Sequence, residues 1–325
     1  MIFQATSNSS YLHSLCDKLV LMNCPEIYAD LQLANKILQK KYPASSNVRF
    51  IEHSYDNLIG LVDELYAIRF PKNSNAWLRS QFEKEILSDL SDGGSIAIPT
   101  IIGEQFEPPF LVTNFIQGSH LSPQIIRSFA SDEQKVFAEQ VAEFAFRMHS
   151  RLSVEKAERS RERFGLDQLE EKPWEIHLKE MLIDFTFPTP AKDAIVKRSY
   201  EKWKSLHRNE TMVVVHDDLH TENMMFIDQT LVGIIDFGDT NTGTPEQELR
   251  QLYRINEEVV HFAADKYTQL SGRRVDVETI QAWSVAQELS AHAEHLLRGD
   301  LTHPSFLRTT DNLNRWFPEE RWGGV

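Results

Sequence analysis

Two polar stretches in the second half of the chain carry residue types and spacings that suit phosphoryl transfer. The first is Val215-His216-Asp217-Asp218-Leu219-His220-Thr221-Glu222-Asn223, and the second is Gly233-Ile234-Ile235-Asp236-Phe237-Gly238-Asp239. This chemistry needs a carboxylate that accepts or orients the attacking hydroxyl, and oxygen ligands that hold Mg²⁺ against the β- and γ-phosphates. Asp218 and Asn223 are five residues apart, and Asp236 ends a β-like run. We therefore predict that the side-chain oxygens of Asp218, Asn223 and Asp236 face one cleft.

The hydrophobic pattern around these stretches predicts strands that would hold them in place. Met212 to Val215 and Leu231 to Ile235 read as short strands, and they bracket a polar segment from His216 to Thr230. Helical patterning returns from about Glu246. This pattern places the polar stretches at strand ends in a mainly helical part of the chain.

A long amphipathic helix is predicted upstream of that part. Ser131 to Gln134 has the spacing of a helix-capping box. The apolar positions that follow recur at helical intervals, at Val136, Phe137, Val141, Phe144, Ala145 and Met148. This helix would open the larger, helical part of the molecule.

The first half of the chain predicts a smaller, sheet-containing part. Leu65 to Phe70 reads as a strand that Pro71 stops, and Arg69 lies near its end. Trp77 to Leu90 has one apolar helix face, with Glu83 beside it. Phe110 to Ile116 reads as a further strand.

These patterns predict an α+β protein in three consecutive ranges. Residues 1–45 form a helical N-terminal extension on or near the small part, with a pattern from 11 to 42 that Pro25 breaks and Pro43 closes. Residues 46–117 form a small antiparallel sheet domain that ends in a hinge before Gly118, and residues 118–325 form a larger mainly helical domain.

Composition narrows the class of partner. The 48 acidic and 34 basic residues give a net charge of −14, which disfavours nucleic acid and anionic lipid and favours cationic ligands, although solubility alone is an equal explanation. No apolar run approaches the roughly 20 residues that cross a bilayer, and Met1 to Ser10 lacks a secretory pattern. With only Cys16 and Cys24 as thiols, we expect a cytoplasmic protein without a membrane partner.

The two polar stretches resemble the aminoglycoside phosphotransferase and choline kinase-like family, which shares the protein-kinase fold. The resemblance runs from about Val48 to the helices after Glu246 and implies a two-lobed architecture. It further implies that Asp218 is the catalytic base, that Asn223 and Asp236 bind magnesium, and that His216 braces the loop. Gly243-Thr244-Pro245 with Glu248 is similar to the stretch that follows the metal-binding turn in the family.

The resemblance in the small lobe implies a nucleotide site. Arg69 stands where the family presents a Lys or Arg to the nucleotide phosphates, and Glu83 would be its helix partner, with Glu85 as the rival. Asn57, in a phosphate-covering segment with a single glycine, and Thr113 and Phe115, near the hinge, complete the predicted nucleotide-binding set. The missing glycine-rich signature favours small-molecule kinases over protein kinases.

The expected activity is Mg²⁺-dependent transfer of the γ-phosphate of ATP or GTP to a hydroxyl of a small molecule. An aminoglycoside-like cationic acceptor is favoured, which would make the protein an antibiotic-resistance enzyme. Choline, another amino alcohol, a sugar or a macrolide remain open as acceptors. A catalytically silent kinase-like regulator and a nucleotidyl transferase are the rival functions, and the sequence does not indicate an oligomeric state.

Other polar residues are weaker candidates. His149 is expected to be a packing histidine, and His292 with His295 lies on one helix face without a visible ligand set, so zinc is not predicted. Several acidic residues near the site in sequence could receive an amine of the acceptor or could form a solvated acidic face: Asp217, Glu222, Asp239, Glu257 and Glu258.

Overall fold

The computed structural model describes Pro25 and residues 27–45, 47–51, 56–90, 93–166, 173–206 and 212–323. Within it the chain forms two compact units. The first comprises Met1–His120, Ser150–Glu170 and Asn223–Thr242, and the second comprises Leu121–His149, Glu171–Glu222 and Gly243–Val325. The predicted domain boundaries after residues 45 and 117 remain predictions.

The first unit is built on a five-stranded antiparallel sheet. Its strands are β1 (Val48–Ile51), β2 (Asn57–Val62), β3 (Tyr66–Pro71), β4 (Ile101–Gln105) and β5 (Phe110–Asn114), in the spatial order β1-β2-β3-β5-β4. Two of its helices are α1 (Leu31–Lys41) and α2 (Ser74–Leu90). The predicted strand over Leu65 to Phe70 and the predicted helix over Trp77 to Leu90 are confirmed to within a few residues.

Helix α1 packs on this sheet and completes its core. Ala34 and Leu38 are buried together with Leu58, Ile68 and other apolar residues of β2, β3 and β5. A Cβ atom on Gly60 of β2 would lie 2.5 Å from Leu38 Cδ1, so glycine is needed for this close approach. The helical pattern predicted for residues 11–42 is therefore confirmed over α1, and its part before Pro25 lies outside the described residues.

A β-hairpin in the first unit carries the second polar stretch. Its strands are β7 (Met224–Ile227) and β8 (Thr230–Ile234), with Met224 opposite Ile234. Gly118 lies against β7, because the next residue, Ser119, forms an antiparallel backbone bridge with Phe226. Gly118 has φ 138°, and a Cβ atom there would lie 2.7 Å from Phe226 O.

The second unit is mainly helical. Its elements follow in chain order: α3 (Pro123–Arg127), α4 (Ser131–Arg151), α6 (Trp174–Lys179), a π-helical turn (Glu180–Asp184), α7 (Pro190–Leu206), β6 (Val213–Val215), α8 (Pro245–Leu249), a 3₁₀ turn (Arg250–Arg254), α9 (Glu257–Ser271), α10 (Val277–Arg298) and α11 (Pro304–Trp316). Helix α5 (Val154–Arg163) belongs to the first unit, and the short strand β9 (Asn241–Gly243) lies at the junction of the units in sequence.

The core of the second unit is aromatic. Trp283 of α10 is fully buried and packs with Trp203 of α7, their ring centroids 5.1 Å apart at a near-perpendicular angle of 79°. Leu178, Leu182 and Leu313 extend this cluster to the neighbouring helices. The buried aromatic area of this cluster contributes to the stability of the helical unit.

The predicted helix-capping box from Ser131 to Gln134 was wrong. Ser131 lies inside the first turn of α4 and donates to Glu258 Oε1 at 2.6 Å, while Glu133 caps the helix by accepting the Ala130 N–H at 2.9 Å. The polar segment from His216 to Thr230 also contains a strand that was not predicted, because the apolar run Met224–Ile227 pairs with β8 as strand β7. A run of four apolar residues inside a polar segment is too short to predict a strand.

No helix in the described part of the chain has both the length and the hydropathy needed to span a membrane.

Candidate active site

Helix α8 anchors the polar loop that follows β6 through a hydrogen bond to the loop backbone. Glu248 of α8 is fully buried, and its Oε2 accepts the backbone N–H of His216 at 2.7 Å. Arg250 donates to the backbone carbonyl of Asp217, which has a left-handed φ of 64°. A non-glycine residue in this region is strained, so the surrounding bonds must fix the turn. Contacts with α8 and with the residues just after it therefore fix the backbone conformation of the loop next to Asp218.

The side chain of Asp217 belongs to this anchoring. Its Oδ1 accepts from Arg250 Nη1 and from Gln247 Nε2, each at 2.8 Å, and its Oδ2 accepts from Trp174 Nε1 at 3.4 Å. With both oxygens engaged inside the protein, Asp217 is not placed as a receptor for a substrate amine. These contacts and its exposure of only 10% favour neither of the two interpretations offered for Asp217, an amine receptor or a solvated acidic residue.

Asp218 pairs with a histidine of the same loop. His220 Nε2 lies 3.2 Å from Asp218 Oδ2, and His220 Nδ1 accepts the backbone N–H of Glu222 at 3.1 Å. Because Nδ1 is an acceptor, the ring proton of a neutral His220 lies on Nε2 and points to the carboxylate. The Asp218 side chain is 32% exposed, so it is held by the protein on one side and open on another.

The environment of Asp218 favours its ionised form. Burial opposes the charge, but the hydrogen bond from His220 and the electrostatic interactions with His220, His216 and Arg254 outweigh it and hold the pKa of Asp218 well below the usual range for aspartate. Asp218 is therefore a carboxylate throughout the physiological pH range.

A buried chain of polar residues supports Glu248. His149 Nδ1 is 2.7 Å from the hydroxyl of Tyr267, and His149 Nε2 is 3.9 Å from Glu248 Oε2. Burial raises the pKa of Tyr267, with the carboxylates of Glu248 and Glu246 adding to the effect, so its hydroxyl is protonated and can donate to His149. Burial also opposes the charge of Glu248, yet His149, His216 and Arg250 lower its pKa. The structural role expected for His149 agrees with these contacts.

In the first unit, Arg69 pairs with Glu83. Arg69 Nη2 lies 2.6 Å from Glu83 Oε2, and their side chains are only 12% and 3% exposed. Burial opposes the positive charge of Arg69, but Glu83 and Asp236 raise its pKa. The rival Glu85 is engaged elsewhere, by Ser160 and Arg163 of helix α5. The geometry thus separates the two glutamates that the sequence left as alternatives.

The hairpin β7–β8 brings Asn223 and Asp236 to the same end. Asn223 precedes β7 and Asp236 follows β8, and the Ile235 N–H donates to the Asn223 carbonyl at 3.0 Å. Asp236 has a left-handed φ of 68°, which is a strained conformation for a non-glycine residue. Glu83 Oε1 accepts the Phe237 N–H at 3.3 Å, so the residue that holds Arg69 also holds this turn.

The remaining predicted nucleotide residues lie in the sheet. Asn57 begins β2 opposite Pro71, and its buried Oδ1 has no hydrogen-bond partner among the described residues. Thr113 is buried in β5, where its hydroxyl donates to Ala67 O at 3.4 Å. The Phe115 N–H donates to Leu65 O at 2.8 Å. This amide therefore has a partner within the sheet-containing unit and is not available to the purine base of a nucleotide.

Three of the other four acidic candidates have partners of their own. Asp239 pairs with Arg79 at 3.5 Å, Glu258 accepts from Ser131, and Glu257 lies 3.7 Å from His261. Sequence reasoning missed His220 as the partner of Asp218 and missed the anchoring of Asp217. His220 could have been found, because a histidine two residues after the proposed base must lie near it; Gln247 and Arg250 could not, because they are about thirty residues away.

The donor groups in the first unit fit a nucleotide and a divalent cation. The Nε–H of Arg69 is buried without a hydrogen-bond partner among the described residues, and an anionic oxygen would satisfy it. The amide of Asn223 and the carboxylate of Asp236 supply oxygen atoms, which are the ligands that Mg²⁺ prefers. These residues could hold the phosphates and the metal of a bound nucleotide.

Comparisons with known proteins give the family. The model of the phosphotransferase enzyme family matches residues 47–295, which is well over half of the chain. No curated protein gives a significant match.

Solved structures with the same fold include enzymes that modify antibiotics. The GDP complex of an aminoglycoside 2'-phosphotransferase-IIIa has a TM-score of 0.68 at 20% identity, over 88% of this chain and 98% of that chain. A ternary complex of an aminoglycoside phosphotransferase with streptomycin and ATP has a TM-score of 0.59 at 17% identity, over 89% of this chain and 97% of that chain. The apoenzyme of a macrolide 2'-phosphotransferase from Brachybacterium faecium has a TM-score of 0.60 at 16% identity, over 89% and 98%.

Identities this low show a common fold, and they confirm the predicted α+β, kinase-like class with a small antiparallel sheet and a larger helical part. Together with the match over residues 47–295, the chain is therefore a phosphotransferase that belongs to the phosphotransferase enzyme family.

Proposed function

We propose that this phosphotransferase moves the γ-phosphate of ATP or GTP to a hydroxyl group of a cationic amino sugar of the aminoglycoside class. The observation that carries the proposal is the Asp218 carboxylate, which is partly exposed, ionised and oriented by His220. Aminoglycoside phosphotransferases with bound GDP or ATP share its fold, and the net charge of −14 suits a cationic acceptor.

Asp218 orients the attacking hydroxyl group. Its lowered pKa makes it a weak base, so it accepts a hydrogen bond from the hydroxyl and does not remove the proton in advance. The proton passes to the carboxylate late, as the bond between the acceptor oxygen and the γ-phosphorus forms. The bond from the γ-phosphorus to the β,γ-bridging oxygen breaks in the same step and the nucleoside diphosphate leaves, which fits the loose transition state of phosphoryl transfer. His220 keeps the carboxylate in place during this step.

The first unit supplies the groups that bind the donor. Arg69, held by Glu83, would donate to the phosphates of a bound nucleotide, and the side-chain oxygens of Asn223 and Asp236 would hold Mg²⁺. The metal, when bound, neutralises charge that develops on the phosphate oxygens. Asp236 is also held by the Glu83 contact to Phe237, so the two halves of the donor site share one anchor.

The test is phosphate transfer by purified protein with Mg²⁺ and either ATP or GTP. A panel of aminoglycosides, macrolides, choline and neutral sugars serves as acceptors, and the products are weighed by mass spectrometry. We expect one added phosphate on an aminoglycoside. Asp218→Asn should lower kcat by about 10²- to 10⁴-fold while nucleotide binding persists, and Asp228→Asn, the same change in the exposed turn of the hairpin, should not.

The same experiment separates the rivals. Macrolide 2'-phosphotransferases share the fold, so a phosphorylated macrolide would move the acceptor class while leaving the chemistry intact. An added nucleotide would refute phosphoryl transfer. Nucleotide binding with no turnover on any acceptor would favour a silent regulator, and full activity of Asp218→Asn would refute the assigned base.

A further inference from the structure

A cavity of about 270 Å³ lies in the helical unit, lined by none of the residues assigned above to catalysis or nucleotide binding. Helices α7, α10 and α11 and the segment that follows α11 form its walls. Phe187, Leu296, Leu301, Phe306 and Trp322 make the lining predominantly apolar. Its volume equals the liquid share of about nine water molecules, enough for an organic molecule of about ten non-hydrogen atoms.

A lysine side chain lines this apolar cavity. Lys192 is only 6% exposed, and its ammonium lies 5.8 Å from the centroid of the Trp322 ring. Its backbone N–H donates to Thr189 Oγ1, but across the described ranges of the chain its ammonium has no carboxylate partner and no hydrogen bond. A cation held at an apolar wall without an anion or acceptor is less well stabilised than a paired one, and one cation–π contact offsets only part of the difference.

The surroundings of Lys192 add to the positive potential. Lys192 lies in the first turn of the 17-residue helix α7, where the helix dipole opposes a positive charge. Among the described residues that line the cavity, His292 is the other ionisable group. Burial, with the charges of Lys192 and His295, lowers the pKa of His292 to about 4, so it is neutral at physiological pH and offers no compensating charge.

The hydrogen bonds of His292 leave its tautomer defined. The Thr309 hydroxyl donates to Phe306 O at 2.9 Å, so it accepts from His292 Nδ1–H at 3.3 Å. The ring stacks on Phe306 with centroids 4.7 Å apart. His292 is therefore part of the wall, and Lys192 is left as the one charge that a ligand could neutralise.

We propose that this cavity is a binding site for a small carboxylate with an apolar body of about ten non-hydrogen atoms. The carboxylate would pair with Lys192, and the apolar body would fill the space between Phe187, Leu296 and Phe306. An apolar pocket whose wall carries a single unpaired cation discriminates by charge, so a neutral or cationic molecule of the same shape should bind less well. The site is independent of the phosphoryl-transfer chemistry proposed above.

Calorimetric titration of the full chain tests the site with octanoate as the probe. Octan-1-ol and octylammonium serve as neutral and cationic probes of matched shape. We expect one octanoate per chain, with at least about tenfold weaker binding of the other two molecules. Equal affinity for octylammonium, or no saturable binding of octanoate, would overturn the proposal.

Matched variants locate the binding. Lys192→Met removes the ammonium and keeps an unbranched chain, and it should weaken octanoate binding about tenfold or more. Lys197→Met makes the same change on the exposed side of α7, where Lys197 pairs with Asp193, and should leave the affinity unchanged. Leu307→Trp, at an exposed position on the cavity lining, should weaken binding by filling space without burying a new charge. Octanoate affinity that is unaffected by both Lys192→Met and Leu307→Trp in folded protein would place the binding elsewhere and refute the site.

Discussion

At the scale of single residues, the charge state of Asp218 depends on a neighbour two positions away. His220 Nε2 faces the carboxylate, and the Glu222 N–H fixes the ring from its other side. The histidine thereby lowers the pKa of Asp218 against the opposing effect of burial. Without it, one of the interactions that oppose the effect of burial would be lost and the carboxyl group would be harder to ionise.

His220→Phe keeps an aromatic ring but removes this hydrogen bond and charge. Because the pKa of Asp218 should rise, the acid limb of the pH profile of kcat/KM should move to higher pH, while activity near neutral pH falls by no more than about tenfold. The profile should be measured from about pH 4 to 8. His261→Phe, which alters an exposed histidine of α9, is the control, and superimposable profiles for His220→Phe and wild type would contradict the assigned role.

Two glutamates on one helix offer a matched test of the donor site. Glu83 contacts both Arg69 and the Phe237 N–H, whereas Glu85 contacts Ser160 and Arg163. Glu83→Gln should therefore raise the nucleotide KM and lower kcat, together about 10²-fold, as expected for misplaced binding groups. Steady-state kinetics with varied nucleotide should show little effect of Glu85→Gln, and equal losses in the two variants would refute the special role of Glu83.

At the scale of secondary structure, helix α8 fixes the loop that carries Asp218. Glu248 accepts the His216 N–H from a fully buried position, and its lowered pKa means that the folded state favours the carboxylate. A lowered folded-state pKa contributes stability above the unfolded pKa of about 4.3, and that contribution is lost as the pH falls through the folded-state value.

Glu248→Gln should accordingly lower the free energy of unfolding by about 2 kcal/mol at pH 7, the contribution of a hydrogen bond to a charged group. The difference from wild type should shrink below about pH 4, where the carboxylate of the unfolded chain is protonated. Urea denaturation of both proteins at pH 7 and below about pH 4 measures this difference in the free energy of unfolding. Glu257→Gln, on the exposed side of α9, is the control. A deficit that does not change with pH would show that the glutamate acts by shape and not by charge.

Gly118 allows the backbone at residues 118 and 119 to pack closely against hairpin β7–β8. Its φ of 138° excludes an L side chain without strain, and a Cβ atom would lie 2.7 Å from Phe226 O. Gly118→Ala should destabilise the protein by about 1–3 kcal/mol or more. Gly103→Ala is the matched control, because a Cβ atom there meets only Val112 side-chain atoms at 3.8 Å. Thermal denaturation should lower the midpoint for the first variant alone, and equal midpoints would exclude a steric role for Gly118.

At the scale of the whole molecule, the parts that sequence predicted well are those encoded within short segments. Helical and strand periodicity located α2, β3 and β8, and the spacing of Asp218, Asn223 and Asp236 was enough to suggest the chemistry. The choice between Glu83 and Glu85 was not accessible, because it depends on which face of α2 meets β3 and which meets α5. Long-range packing of this kind leaves no local signal.

The roles of the acidic residues could not be predicted from the sequence for the same reason. Asp217 was interpreted as a possible receptor for a substrate amine, yet it is held by Arg250 and Gln247 from about thirty residues away. Asp239 likewise pairs with Arg79. Net charge and sequence position indicated an acidic neighbourhood, but they could not show which carboxylates the protein uses internally.

The net charge of the whole molecule leads to a prediction about how salt affects the binding of each substrate. A chain with a net charge of −14 should attract a cationic acceptor and repel the anionic nucleotide at long range. Raising NaCl from about 0.1 to 1 M shortens the screening length from about 10 to 3 Å, so the KM of a cationic acceptor should rise severalfold. The nucleotide KM should not rise in parallel, because screening reduces a repulsion in that case. Steady-state kinetics with each substrate varied in turn separates the two effects, and an acceptor KM that is independent of salt would mean that local contacts, and not the acidic surface as a whole, select the acceptor.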